Sequence, residues 1–202
     1  MIVLAIQYPN GKVYTPTKKT KTPKQKDYSF SNRGKTLEDE INDANEYYLA
    51  HDIAVIYKKP IPIQVVKVDY PSRSSAVIKE AYYRTPSTTD FNGVYKGKYI
   101  DFEAKETENK TSFPLKNVHL HQVEHMGRVV QQLGISFLLV RFSTTDRYFY
   151  LSYEHLKFFW DRMRSGGRKS ITLGEFEEYG IEITPKYAPR VNYLKIVNDL
   201  YV

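Results

Sequence analysis

The sequence predicts an α/β fold, a mixed β-sheet flanked by helices, on three observations. A helical stripe, a short apolar strand, a tightly turned strand pair, a second helix and another apolar strand follow one another between residues 31 and 142. That order lets the second helix cross over between neighbouring parallel strands. The strand segments are short and rich in β-branched and aromatic residues, whereas the helical segments repeat apolar residues every three or four positions.

Residues 8–31 are rich in Pro, Thr and Lys, with Lys18, Lys19, Lys21, Lys24 and Lys26 and little to bury. Residues 1–30 therefore read as a flexible basic arm suited to binding phosphates, although a solvated tail without a role has the same composition. Residues 31–202 read as one folded domain. Its first helix begins after Ser31 or Asn32, both candidate N-caps, and carries Leu37, Ile41, Ala44 and Tyr48 on one stripe. Ala54 to Tyr57 is a short strand.

Two β-rich arms, Ile63 to Val68 and Ala76 to Tyr83, flank a polar turn holding Pro71 and Arg73, so residues 61–83 read as an inserted hairpin. Thr88 to Lys105 reads as two strands joined at Lys96-Gly97. Leu115 to Leu133 reads as one helix with Val118, Met126, Val129 and Leu133 on one face and Gly134 as its stop. Strands at Ile135 to Phe142 and Arg147 to Leu151 follow, then an amphipathic helix from Tyr153 to Met163 and a short one capped by Thr172.

At 202 residues the chain is long enough for one substantial core, or one core plus an appendage, but short for two full domains. Its 18 tyrosines are many, and a large share of them are expected to be partly exposed. A net charge of +7 and a pI near 9.3 favour polyanionic partners or anionic membrane. The absence of cysteine excludes disulfides and thiolate metal sites. No apolar run approaches the roughly 18 residues of a membrane span. The Met1 to Tyr14 segment lacks signal-peptide order, so a cytoplasmic location is expected.

The chemistry concentrates on the strand ending at Lys105. Alternation places Asp101, Glu103 and Lys105 on one face and Ile100, Phe102 and Ala104 on the other. If Lys96-Gly97 is the turn, Tyr95 pairs with Lys98, and counting outward sets Asp90 opposite Glu103. Opposed carboxylates repel unless a cation bridges them or one holds a proton. Magnesium, an oxygen-ligated ion, resolves the conflict. The resulting D-x12-E-x-K pattern is not specific by its last part, because Glu108 and Lys110 repeat E-x-K without a comparable apolar face. Asp101 is an alternative ligand or a neighbouring charge.

Glu38 is placed to reach the site from the first helix, although a carboxylate in a first helical turn is also favoured by the helix dipole. Gln122 interrupts the apolar stripe between Val118 and Met126, where an amide needs partners, and so is expected to line a polar site. His121 and His125 have zinc-compatible i, i+4 spacing. Without a Glu after His121 or any Cys, the histidines, His119 included, fit a basic or solvated helix surface better.

Four strings resemble the RecU Holliday-junction resolvases of the PD-(D/E)XK nuclease superfamily, over most of the chain from Ser31 onward. They are Asn32-Arg33-Gly34-Lys35, Val68-Asp69-Tyr70-Pro71-Ser72-Arg73, Pro86-Ser87-Thr88-Thr89-Asp90 with Asn92-Gly93, and Ile100-Asp101-Phe102-Glu103-Ala104-Lys105-Glu106-Thr107. The resemblance implies a restriction-endonuclease-like sheet and an endonuclease that nicks four-way DNA junctions symmetrically, leaving 5′-phosphates. It implies one or two magnesium ions, replaceable by manganese, held by Thr89, Asp90, Glu103 and Gln122. Lys105 would be the catalytic lysine and Glu38 an accessory carboxylate. It further implies a homodimer whose inserted stalk enters the junction, and modulation of the RecA recombinase. Arg33, Lys35, Lys58, Arg73, Tyr70 and Tyr82 are the residues expected to touch DNA. A catalytically silent DNA-binding regulator and a nuclease acting on plain duplex are the competing readings.

Overall fold

The structure, a computed structural model, describes residues 35–72, 75–83 and 88–202, with the backbone alone at 70–72, 75 and 76. The basic arm, Arg33, Arg73, the Tyr70 side chain and the candidate caps Ser31 and Asn32 lie outside the described residues.

Helix α1 (Leu37–Ala50) is capped by Thr36 rather than further upstream. Thr36 Oγ1 accepts from Asp39 N, and Asp39 Oδ2 accepts from Thr36 N, a reciprocal box that satisfies two end amides. Its stripe of Leu37, Ile41, Ala44 and Tyr48 is buried as the spacing predicts. Strand β1 (Val55–Lys58) follows, then a ribbon of β2 (Ile63–Ser72) and β3 (Ser75–Tyr83). The ribbon strands extend further toward the turn than their apolar cores suggest. Among the described residues they pair only with each other.

Strands β4 (Phe91–Tyr95) and β5 (Lys98–Thr107) meet at Lys96-Gly97, both with positive φ, 45° and 77°, in keeping with a two-residue primed hairpin turn. Their register pairs Tyr95 with Lys98 and Phe91 with Phe102. Gly93 permits β1 to lie close against β4, because a Cβ there would sit 2.1 Å from the Val55 carbonyl oxygen. The short strand β6 (Ser112–Pro114) leads into helix α2 (Leu120–Gln131), which crosses over to β7 (Ile135–Phe142), parallel to β5. Strand β8 (Arg147–Ser152), helix α3 (Tyr153–Arg164), strand β9 (Ser170–Thr172), helix α4 (Leu173–Tyr179), strand β10 (Ile181–Ile183) and helix α5 (Tyr193–Tyr201) complete the chain. The main sheet runs β1-β4-β5-β7-β8-β10, and β6 pairs with β9.

Leu115 to Leu133 is not one helix. Leu115–Asn117 forms a single 3-10 turn, and α2 starts anew after His119 because Gln122 Oε1 accepts the His119 amide at 2.9 Å. Leu133 lies outside the buried stripe, exposed and with a left-handed φ of 63° at the helix end.

The sheet divides two apolar cores. On one face Phe102 stacks between Phe91 and Phe137, with ring centroids 5.0 and 4.6 Å apart, beneath α1 and Tyr193 of α5. On the other, Leu138, Val140, Phe149 and Leu151 of the sheet pack with Met126 of α2, Phe159 of α3 and Phe176 of α4. Tyrosines such as Tyr57, Tyr83, Tyr99 and Tyr187 are exposed as expected, whereas Tyr48, Tyr148, Tyr150 and Tyr193 are buried in the first core. The buried hydroxyls find partners, such as Asn192 for Tyr48 and Asp146 for Tyr148. Phe102→Ala is expected to destabilise the fold by about 4 kcal/mol, the usual cost of a large buried cavity, as read by denaturant unfolding. A loss below about 1 kcal/mol would show that the stack does not hold the sheet.

Candidate active site

Residue Asp90 immediately precedes β4, so continuing the Phe91–Phe102 pairing sets it opposite Glu103. Asp90 Oδ2 accepts the amide of Ala104 at 3.1 Å, which turns its carboxylate toward β5. Glu103 is fully buried on a strand hydrogen-bonded on both edges. Its Oε1 accepts from Lys105 Nζ at 2.5 Å and from Gln122 Nε2 at 2.7 Å. Its Oε2 is buried with no partner. Burial first, and the neighbouring Asp90 second, push the Glu103 carboxyl up to about 7, with Lys105 opposing them.

Four expected site residues, Asp90, Glu103, Lys105 and Gln122, thus come together. Gln122 does so because one amide serves two purposes: its oxygen caps α2 while its nitrogen holds Glu103. Lys105 reaches Glu103 because β-strand side chains two apart share a face. Among the described residues no three His, Cys, Asp or Glu side chains converge as a metal cluster. Two carboxylates can still fit a cation. An unpartnered buried carboxylate oxygen facing a second carboxylate is what an oxygen-seeking ion satisfies, and Mg2+ takes one or two carboxylates with its remaining positions filled by water or substrate.

The raised Glu103 carboxyl makes a stability prediction. Its proton is bound more tightly folded than unfolded, so the associated stability is present below the ordinary value of 4.5 and is lost as pH rises through about 7. In EDTA at about pH 8, Glu103→Gln is therefore expected to be more stable than the parent by roughly 2–3 kcal/mol. Denaturant unfolding that finds it less stable would contradict this environment for Glu103.

Beside this pair lies a second polar group centred on Asp101, also fully buried. Asp101 Oδ2 accepts from Lys59 Nζ at 2.5 Å and from the Tyr99 hydroxyl at 3.0 Å, and His125 Nε2 lies 3.2 Å away. The Thr89 hydroxyl donates to Oδ1 and accepts from Lys59 at 2.6 Å. Burial alone would raise the Asp101 carboxyl, but Lys59, Thr89 and His125 outweigh it and hold it below the usual range. Asp101 is engaged by a cation of the chain itself, and Thr89 faces it. Lys59, Tyr99 and His125 are additions to the residues expected from sequence. His125 is legible as the residue one helical turn after Gln122, whereas Lys59 is 42 positions from Asp101 and is placed by the sheet register alone.

Glu38 pairs with Lys58, which Glu38 holds above its ordinary value and which also feels Asp90. The Lys35 ammonium lies 2.5 Å from Asp43. Tyr82 is 60% exposed on the ribbon and donates to Glu80 at 2.6 Å.

A mixed sheet flanked by helices, with a carboxylate pair, a lysine and an amide on its central strands, is of the restriction-endonuclease-like class. The family model described as Recombination protein U matches residues 32–199. The chain is 55% identical to the Holliday junction resolvase RecU of Bacillus mycoides (strain KBAB4), over 98% of this chain and 99% of the relative. It is 54% identical to the protein of the same name from Bacillus cereus (strain G9842), with the same shares covered. The chain belongs to the RecU family.

Proposed function

We propose that this protein is a magnesium-dependent endonuclease that resolves four-way DNA junctions by paired symmetric nicks during recombination and repair. The observation that carries the reading is the buried Glu103 oxygen without a partner, facing Asp90 and flanked by Lys105. Close relatives named for junction resolution support the substrate.

In this reading Asp90 and Glu103 hold the ion, and Gln122 fixes the Glu103 rotamer through its 2.7 Å hydrogen bond. Magnesium, or manganese in its place, when bound polarises a phosphate oxygen and lowers the pKa of water. The Lys105 ammonium offsets negative charge developing on the attacked phosphate. Lys59 neutralises Asp101, whereas Glu103, although Lys105 engages its Oε1, keeps Oε2 without a partner among the described residues. Glu38 and Lys58 border the site at the end of β1. Products carry a 5′-phosphate and a 3′-hydroxyl. Nicks made in a synthetic junction are therefore expected to be sealed directly by DNA ligase, and ends that need phosphatase treatment first would refute this chemistry.

Two opposed nicks require two sites, and a homodimer supplies them. The β2–β3 ribbon supports that reading, because Val65, Val66, Val77 and Ile78 are exposed apolar side chains that a second copy could cover. Junction DNA and the RecA recombinase are the proposed partners, at the nucleoid in the cytoplasm. Among the described residues no helix is long and apolar enough to cross a membrane.

The basic arm is proposed to add nonspecific affinity. A cluster of lysines neutralises phosphates without presenting a fixed shape, and every phosphate left un-neutralised makes the log-log salt slope shallower by about 0.9. Removing residues 1–30 is expected to make that slope shallower for junction and duplex alike. An unchanged slope would show that the arm does not touch DNA.

A further inference from the structure

Seven of the 30 basic residues, but only one of the 23 acidic ones, fall in residues 1–34, so the remainder of the chain is close to neutral. Within that near-neutral remainder, basic residues without acidic partners are informative where they gather. Between Met163 and Glu175 the chain carries Arg164, Arg168 and Lys169 and no acidic residue. All three are exposed, and none has a side-chain partner among the described residues. Arg162 differs, since its charge is spent on Glu175.

The loop bearing these cations is held in place. The Gly166 amide donates to Met163 O at 3.1 Å and the Gly167 amide to Arg162 O at 2.9 Å, closing the end of α3. Arg162 Nη2 donates to Ser170 O at 2.8 Å. The Lys169 carbonyl accepts the Leu115 amide at 3.0 Å, continuing the β6–β9 pairing of Pro114 with Ser170. Lys169 therefore adjoins the 3-10 turn that carries Lys116, another exposed lysine without a side-chain partner among the described residues. That turn leads within six residues to Gln122, which touches Glu103. Cations on two hydrogen-bonded segments thus adjoin the turn that leads into α2, the helix whose Gln122 touches Glu103, on a braced backbone that spares much of the ordering cost of binding.

We infer that Lys116, Arg168 and Lys169 form a track for the phosphates of one duplex arm, leading away from the cleavage site. Duplex DNA has one negative charge per roughly 1.7 Å of axis, so a fixed row of cations meets phosphates whatever the base sequence. The inference rests on the proposed action on DNA. It adds a surface separate from the arm and the ribbon, one that reads backbone rather than branch shape.

The test is equilibrium binding of the full chain to a four-way junction and to linear duplex in EDTA, across a salt series. For Arg168→Ala/Lys169→Ala the log-log salt slope is expected to become shallower by about 1.8 on both DNAs. Affinity at about 0.15 M salt should fall by about 30-fold, the counterion-release contribution of two neutralised phosphates referred to about 1 M salt. Lys116→Gln, on a separate element, should lower the slope by about 0.9 and keeps the test decisive if the double variant misfolds. Lys195→Ala, which removes a cation paired with Asp199 on α5, should leave it unchanged. Parental slopes in the track variants, or an equal change in Lys195→Ala, would overturn the track. If the parent protein binds neither DNA, the proposed function fails with it; if the parent binds normally, only the track fails.

Discussion

Glu103→Ala is expected to lower magnesium-dependent cleavage of a four-way junction by at least about 10³-fold, equivalent to some 4 kcal/mol of transition-state stabilisation. Asp90→Asn should do nearly the same, because both remove an ionised oxygen from the proposed cation centre. Junction binding in EDTA should survive in both variants. The basic surface is elsewhere, and loss of a buried carboxylate removes negative charge rather than adding it. The comparison also separates chemistry from folding, since Glu103→Gln is expected to be inactive yet more stable than the parent above about pH 7 without metal. Normal turnover by a purified Glu103→Ala protein would remove Glu103 from the mechanism.

The second large effect concerns the ribbon. Replacing Val66 to Ile78 by a short Gly-Ser turn is expected to erase the preference for junction over duplex while sparing the nuclease core. Among the described residues β2 and β3 pair with no other strand, so shortening them leaves the six-stranded sheet whole. The retained pairs Ile63–Tyr83, Gln64–Tyr82 and Val65–Ala81 keep the base closed. The replaced segment includes Tyr70 and Arg73, whereas Tyr82 and Tyr83 sit at the base of the ribbon with or without it. Stacking of one unpaired base on an aromatic ring is worth about 1–3 kcal/mol, so a single such pairing at the middle of that range gives a preference of roughly 30-fold. Register shifts between Val65 and Lys67 and between Lys67 and Val68 show an irregular ribbon, the kind of edge that resists unwanted strand addition. A shortened protein that folds and keeps its full preference would place branch recognition outside the ribbon.

The sequence is most informative where local rules and tertiary structure agree. Alternation along Ile100 to Lys105 and the Lys96-Gly97 turn together specify which residues oppose one another, and the observed pairing of Tyr95 with Lys98 follows. Helix α2 is less legible: its apolar spacing runs back toward Leu115, and only the Gln122–His119 hydrogen bond shows where the helix restarts. Strands β6, β9 and β10 span three residues each, too few for any periodicity, and exist because neighbouring segments offer them partners. Helix α5 carries the stripe Tyr193, Leu194, Ile196 and Val197, readable by spacing, but Asn192 makes no capping bond to announce it. The Asp101 group is the least accessible part of the site. Thr89 and Lys59 become its partners through the register of β1, β4 and β5, and nothing in the spacing of Asp101 and Glu103 distinguishes the carboxylate satisfied by a lysine from the one left with an open oxygen.

The decisive measurement for junction resolution at the Asp90–Glu103 pair is single-turnover cleavage by the full-length chain of a synthetic four-way junction and of a linear duplex of the same arm sequence, with and without magnesium. Paired nicks at symmetric positions in the junction are expected, only when magnesium is present, with the duplex left essentially uncut. An uncut junction in magnesium, cleavage undiminished in EDTA, or duplex cut as fast as junction would contradict the proposed function.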